Sequence, residues 1–169
     1  MSTLVYLNLI IKQKRSAWYW SILGSAIFSY SCFINQLYLQ SVLYIFYVAI
    51  AFYGLQQWKQ NDTTLKVNSM NFKAHRIFIS IGVILGAALG HIFITYTDQQ
   101  LPYLDGAITV FAIGTTLLVV NKKRENWLYW VVINTASIYL YAHQELWILV
   151  VMSLVLLAMA VKGYISWNK

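Results

Sequence analysis

Seven apolar runs divide this chain, and they constrain its fold more than any other feature. They are Met1–Ile11, Ala17–Ile34, Leu37–Gln57, Arg76–Tyr96, Leu104–Val120, Asn126–Ala142 and Trp147–Trp167. At 1.5 Å rise per residue, about 20 helical residues cross a hydrocarbon core about 30 Å thick. Six of the runs meet that length once interfacial ends are allowed for; the first has only eleven residues. A segment in lipid must satisfy its backbone internally, which leaves helices or closed barrels. The runs are too long, and lack the alternating pattern, for barrel strands. Composition agrees: 60% of the 169 residues are hydrophobic and 10% charged, against about 25% charged in a soluble domain. The expected class is all-α integral membrane with seven transmembrane helices, the first shortened.

The charges give an orientation. Lys12, Lys14 and Arg15 follow the first run; Lys59, Lys66 and Lys73 lie between the third and fourth runs, with Arg76 opening the fourth; Lys122, Lys123 and Arg124 precede the sixth; Lys162 and Lys169 lie at the end of the seventh. The alternate connections, at Asn35–Gln36, Thr97–Leu101 and His143–Glu145, hold no Lys or Arg. The positive-inside rule then puts the N-terminus outside and the C-terminus in the cytoplasm of a multi-pass inner-membrane protein. The net charge of +7 is explained by these loops, so no nucleic-acid partner is expected. No cleavable signal peptide is evident. Lone Cys32 excludes an internal disulfide and reads as a core residue.

The chain also matches itself at an offset of 109 residues. Lys14-Arg15 meets Lys123-Arg124, Trp18 meets Trp127, Tyr30 meets Tyr139 and Leu37 meets Leu146. Val42, Ala49, Ala51, Gly54 and Trp58 meet Val151, Ala158, Ala160, Gly163 and Trp167. Such self-similarity signals duplication. The shift carries basic loops onto basic loops, so the repeats are parallel. A 3+1+3 plan follows: a three-helix bundle over 1–58, a linker helix over 76–96 and a second bundle over 101–169. In transporters built this way, substrate binds at the repeat interface and one half rocks against the other. The first helix lacks about nine residues that its partner has at Leu101–Thr109, which a start codon assigned too late would explain.

Catalytic chemistry is scarce. Asp62, Asp98, Asp105, Glu125 and Glu145 form no i, i+3 or i+4 pair, and His75, His91 and His143 lie in separate regions. No metal-ligand spacing, phosphate loop or nucleophile elbow occurs. Neither enzyme activity, nor a metal, nor a cofactor is expected. His91 reads as a neutral imidazole bonded to a neighbouring helix, and the Gly82, Gly86, Gly90 stripe as a close-packing surface. Asp105 fits the N-terminal end of its helix, where the dipole favours a carboxylate.

Asn126, Trp130 and Asn134 are spaced i, i+4, i+8 and share one face of the sixth helix, beside Trp127. Two amides and an indole suit a flat, hydrogen-bonding heteroaromatic ligand; a cationic ring would gain about 0.5–2 kcal/mol over the indole. Asn126, Trp127, Trp130 and Asn134 are the first candidate binding residues. Tyr44, Tyr47 and Thr116 are the second.

Asp105-Gly-Ala-Ile-Thr109, Lys122-Lys-Arg-Glu-Asn-Trp127-Leu-Tyr-Trp130 and Phe46-Tyr47…Tyr53-Gly54…Trp58 resemble the PnuC-type vitamin transporters, from about Leu9 onwards. That resemblance implies facilitated diffusion of nicotinamide riboside or a related heteroaromatic precursor such as thiamine. A separate cytoplasmic kinase would trap the substrate by phosphorylation. The family's usual glutamine ahead of Phe-Tyr is Tyr44 here, and its Ala-Gln is Thr115-Thr116. The rival reading is a non-transporting structural or assembly subunit. Membrane lipid is an expected partner under either reading, and a homo-oligomer is possible.

Overall fold

The computed structural model describes residues 2–34, 38–58, 66–97 and 100–168. Leu37 of the repeat, the Asn35–Gln36 connection, Lys59, Asp62, Asp98, Lys169 and Met1 lie outside the described residues. Seven helices run in order: α1 Ser2–Ile11, α2 Ser16–Ile34, α3 Tyr38–Gln57, α4 Phe72–Tyr96, α5 Pro102–Val120, α6 Asn126–His143 and α7 Trp147–Trp167. No strand occurs among the described residues. The helices follow the apolar runs closely. The main departure is α4, which begins four residues before Arg76 because the Asn71 side chain caps it, accepting from Ala74 N at 2.8 Å. Proline at the first position of α5 fits the same logic, since that N–H has no helical partner.

On length and apolarity alone, α4, α5 and α7 qualify as membrane spans among the described residues. The six runs expected include a further apolar stretch, Ser41–Gln57 of α3, which is shorter among the described residues. Helices α2 and α6 intersperse Ser, Asn, Trp and Tyr through their apolar sequence, which lowers average hydropathy while suiting interfacial depth. The protein's skin is apolar in any case. Ile84 is 67% exposed and Ile148 85% exposed, and such faces are stable only against lipid or another protein.

The chain forms two compact units. The first comprises Met1–Lys66 with Val120–Lys122, and the second Val67–Val119 with Lys123–Lys169. In the first, Gly54 of α3 lies flat against the Trp18 indole of α2; a Cβ there would come within 2.5 Å of the ring. Trp18 is fully buried and meets Trp58 edge-on, centroids 5.4 Å apart at 90°. Tyr6 of α1 packs on its other side at 6.1 Å. Higher in the pair, Ser29 and Ser41 each donate to the other's backbone carbonyl, at 3.1 and 3.0 Å.

In the second unit, α6 and α7 repeat this geometry. A Cβ on Gly163 would approach the Trp127 ring to 2.5 Å, and Trp127 meets Trp167 at 5.4 Å and 90°. Gly86 of α4 and Gly106 of α5 let two backbones touch: a Cβ on Gly106 would lie 2.7 Å from the Gly86 carbonyl oxygen. Gly82 and Gly90 face Phe111 and Tyr103 in the same seam, so the glycine stripe does pack a neighbouring helix.

The turns match as well. Gln13 and Lys122, 109 residues apart, both sit in the left-handed region with φ 53° and 48°. Lys14 N donates to Leu9 O and Lys123 N to Leu118 O, each at 2.9 Å. These are the six-to-one bonds of a Schellman cap, satisfying carbonyls that α1 and α5 would otherwise leave unpaired. Ala17 N–Lys14 O and Asn126 N–Lys123 O, both 3.1 Å, start the following helices alike. Helix α1 has 10 residues and α5 has 19.

Candidate functional site

The sixth helix carries the polar face singled out from the sequence. Its start is fixed by the turn just described and by Asn126 itself, whose Nδ2 donates to Lys123 O at 2.6 Å. The amide's other atom, Oδ1, is buried with no hydrogen-bond partner. Buried acceptors are paired in more than about nine cases in ten, so this one marks a position where a donor is wanted. One turn on, Trp130 is half-buried. A further turn on, Asn134 is 5% exposed and its Nδ2 donates to Trp130 O at 2.7 Å. Ser137 extends the row, also bonded to its own helix, at Ile133 O.

Trp127 is placed differently from its three neighbours. It is 1% exposed, wedged between Gly163 and Trp167 as Trp18 is between Gly54 and Trp58. The indole N–H groups of both tryptophans are buried without a partner.

Thr116 of α5 is half-buried and spends its hydroxyl on Ala112 O at 2.8 Å, the local bond a helical threonine commonly makes. Its neighbour Thr115 is fully buried, and its Oγ1 has no partner. No spacing argument picks out Thr115; only burial does. Tyr44 and Tyr47 belong to the first unit. There Tyr44 stacks on Phe28 at 5.4 Å and 20°, with Tyr47 6.3 Å away. The structure thus brings Asn126, Trp127, Trp130 and Asn134 together on one helix, with Thr116 in the same unit.

Other candidates resolve into local contacts. His91 Nδ1 comes within 3.5 Å of the Tyr103 hydroxyl on α5, as a neighbouring-helix contact should. His143 pairs with Gln100 Oε1 at 3.1 Å, and His75 with the Tyr129 hydroxyl at 2.8 Å. Asp105 occupies the first turn of α5. Among the described residues no three His, Cys, Asp or Glu side chains gather as a metal site. An open groove of about 410 Å³ in the first unit is lined by Ser29, Tyr30, Phe33, Ser41 and Ile45 among others. None of the sequence candidates lines it, and its walls are nearly all apolar.

Known proteins resemble this architecture over its whole length. Residues 1–169 match the family described as nicotinamide mononucleotide transporter. The chain is 25% identical to the nicotinamide riboside transporter PnuC of Neisseria mucosa, over 94% of this chain and 65% of that protein. It therefore spans slightly under two thirds of that relative's length. It is 24% identical to the protein of the same name from Escherichia coli K12, over 97% of this chain and 80% of that one. Its fold resembles the crystal structure of the vitamin B3 transporter PnuC, with a TM-score of 0.75 and 22% identity. That superposition covers 99% of this chain and 77% of the other.

Proposed function

Because this chain belongs to the nicotinamide mononucleotide transporter family, we propose that it carries nicotinamide riboside across the inner membrane by facilitated diffusion. The observation that carries this reading is the amide-bearing face of α6. Asn126 Oδ1 is a buried acceptor without a donor, one turn from the half-buried indole of Trp130 and two turns from Asn134. Nicotinamide riboside offers what that face lacks: a carboxamide N–H₂ and ribose hydroxyls to donate, and a flat cationic ring to lie on an indole. Relatives bearing the name nicotinamide riboside transporter support the substrate.

In this proposal Asn126, Trp130 and Asn134 touch the substrate, and Trp127 contributes from its buried place behind them. Thr116, Tyr44 and Tyr47 are the second group to probe. The 3+1+3 organisation, with 1–58 and 101–169 as repeats around α4, and the cytoplasmic placement of the basic loops belong to the same proposal. So does trapping of the product by a separate kinase.

Proteoliposome uptake with labelled nicotinamide riboside, thiamine and riboflavin tests it. Saturable uptake of nicotinamide riboside, down its gradient and without an ion requirement, is the expected result. Preferential uptake of thiamine would move the substrate to the related vitamin. Uptake of no vitamin would leave a membrane subunit without transport activity.

A further inference from the structure

The segment ahead of α4 is an extended strap lying on the α5–α6 turn. Asn68 forms a parallel bridge with Lys123, and Arg124 N donates to Asn68 O at 3.0 Å. Two residues on, Met70 N donates to Glu125 Oε2 at 3.0 Å. Asn71 then caps α4.

Glu125 is only 6% exposed. It occupies the N-cap position of α6, where a side-chain oxygen would ordinarily accept from its own helix, yet it makes no such bond. Its carboxylate serves the strap instead, with the second oxygen 3.6 Å from Arg124 Nη2. Burying a carboxylate is costly unless hydrogen bonds and charge compensate it. Here the compensation comes from the adjacent Arg124 and from a backbone N–H 55 residues away in sequence. The other ties point the same way. His75, in the first turn of α4, lies 2.8 Å from the Tyr129 hydroxyl of α6. The Gly86–Gly106 seam holds α4 on α5. At the position matching Glu125 the first half has Ser16, whose side chain is two heavy atoms shorter.

We propose that Glu125 is a positioning residue: its carboxylate welds the strap, and through it α4, to the start of α6. The weld makes α4 a member of the second unit and holds Asn126, Trp130 and Asn134 in register for substrate. The last clause rests on the proposed transport function; the weld does not.

Two measurements separate these. In a Cys32→Ser background, which has no other cysteine, Asn68→Cys with Lys123→Cys reports the weld directly. Bridged residues lie close enough for a disulfide. Oxidation should cross-link the pair readily with Glu125 present and at least about tenfold more slowly in Glu125→Ala, as expected when a charged hydrogen bond is lost. Glu125→Gln, which still offers an oxygen to Met70 N, should restore the cross-linking. In uptake, Glu125→Ala should raise KM about tenfold with Vmax kept, and the disulfide should return KM toward wild type. Equal cross-linking with and without Glu125, or no cross-link in either, overturns the weld. A wild-type KM in Glu125→Ala overturns the positioning role. Glu125-dependent cross-linking in a protein that takes up no vitamin would leave the weld standing and remove the transport reading.

Discussion

The Trp18 corner of the first unit and the Trp127 corner of the second are the same piece of structure built twice. Each is a buried indole pressed on a glycine, 2.5 Å from where a Cβ would stand, and crossed at 5.4 Å and 90° by a second tryptophan. Each is entered through a turn with a left-handed residue at the same register. What differs is the lining. Where the second unit has Glu125, Asn126, Trp130 and Asn134, the first has Ser16, Ala17, Ser21 and Ser25. At these two corners the matched residues are the ones that close packing fixes, and the candidate binding residues fall where the two helices differ.

Equal damage from equal cuts would sharpen that comparison. Trp18→Ala and Trp127→Ala should each cost about 3–5 kcal/mol, the usual loss for emptying a buried tryptophan site. Gly54→Ala and Gly163→Ala should each cost about 1–3 kcal/mol, because the new methyl meets ring carbons that cannot swing aside. Thermal unfolding in detergent would read both pairs. A large fall in Tm from one member of a pair and none from the other would break the equivalence of the two corners.

The second comparison should be unequal. Trp130→Ala and Asn134→Ala should each weaken uptake about tenfold, through a lost stacking surface and a lost amide. The matched Ser21→Ala and Ser25→Ala should leave uptake as it is. Transport unchanged by both α6 substitutions would remove the proposed binding face, whatever the serine variants do.

The helices and the two matched corners were legible in the sequence because both rest on long-range patterns. Apolar runs set the helices, and matched tryptophans, glycines and a basic pair set the equivalence of the corners. The glycine stripe of α4 was legible for the same reason, since spacing alone put Gly82, Gly86 and Gly90 on one face. The caps were not. Gln13, Lys122 and Glu145 all adopt positive φ in turns that a reader would assign to glycine or asparagine. Their strain, roughly 1–2 kcal/mol each, is carried by bonds formed only once the helices exist. The strap was hidden too. Nothing local in Val67–Met70 marks it as extended, and its partner Glu125 is 55 residues away. The α6 face was half legible: the spacing placed its amides together, but only burial shows that Asn126 Oδ1 lacks a partner.

The smallest expected effect compares the two left-handed turn residues, Gln13 and Lys122. Gln13 does not titrate, whereas Lys122 does. Its ammonium lies 4.8 Å from the centre of the Trp58 ring, and Trp58 Nε1 donates to Val120 O at 2.8 Å just behind it. The ring face favours the charged form, but partial burial outweighs it and lowers the lysine below its ordinary 10.5. The unfolded chain therefore holds this proton more tightly than the folded one. Stability from this group is fully present above 10.5 and falls away as the pH drops through the lowered folded value. Just below 10.5, raising the pH should thus stabilise the fold slightly. Lys122→Met should flatten that slope, while Gln13→Met, at the matched turn, should leave it unchanged. Unfolding midpoints of the three proteins across alkaline pH would show it, and identical slopes for the wild type and Lys122→Met would mean that Lys122 binds its proton equally in the folded and unfolded chains.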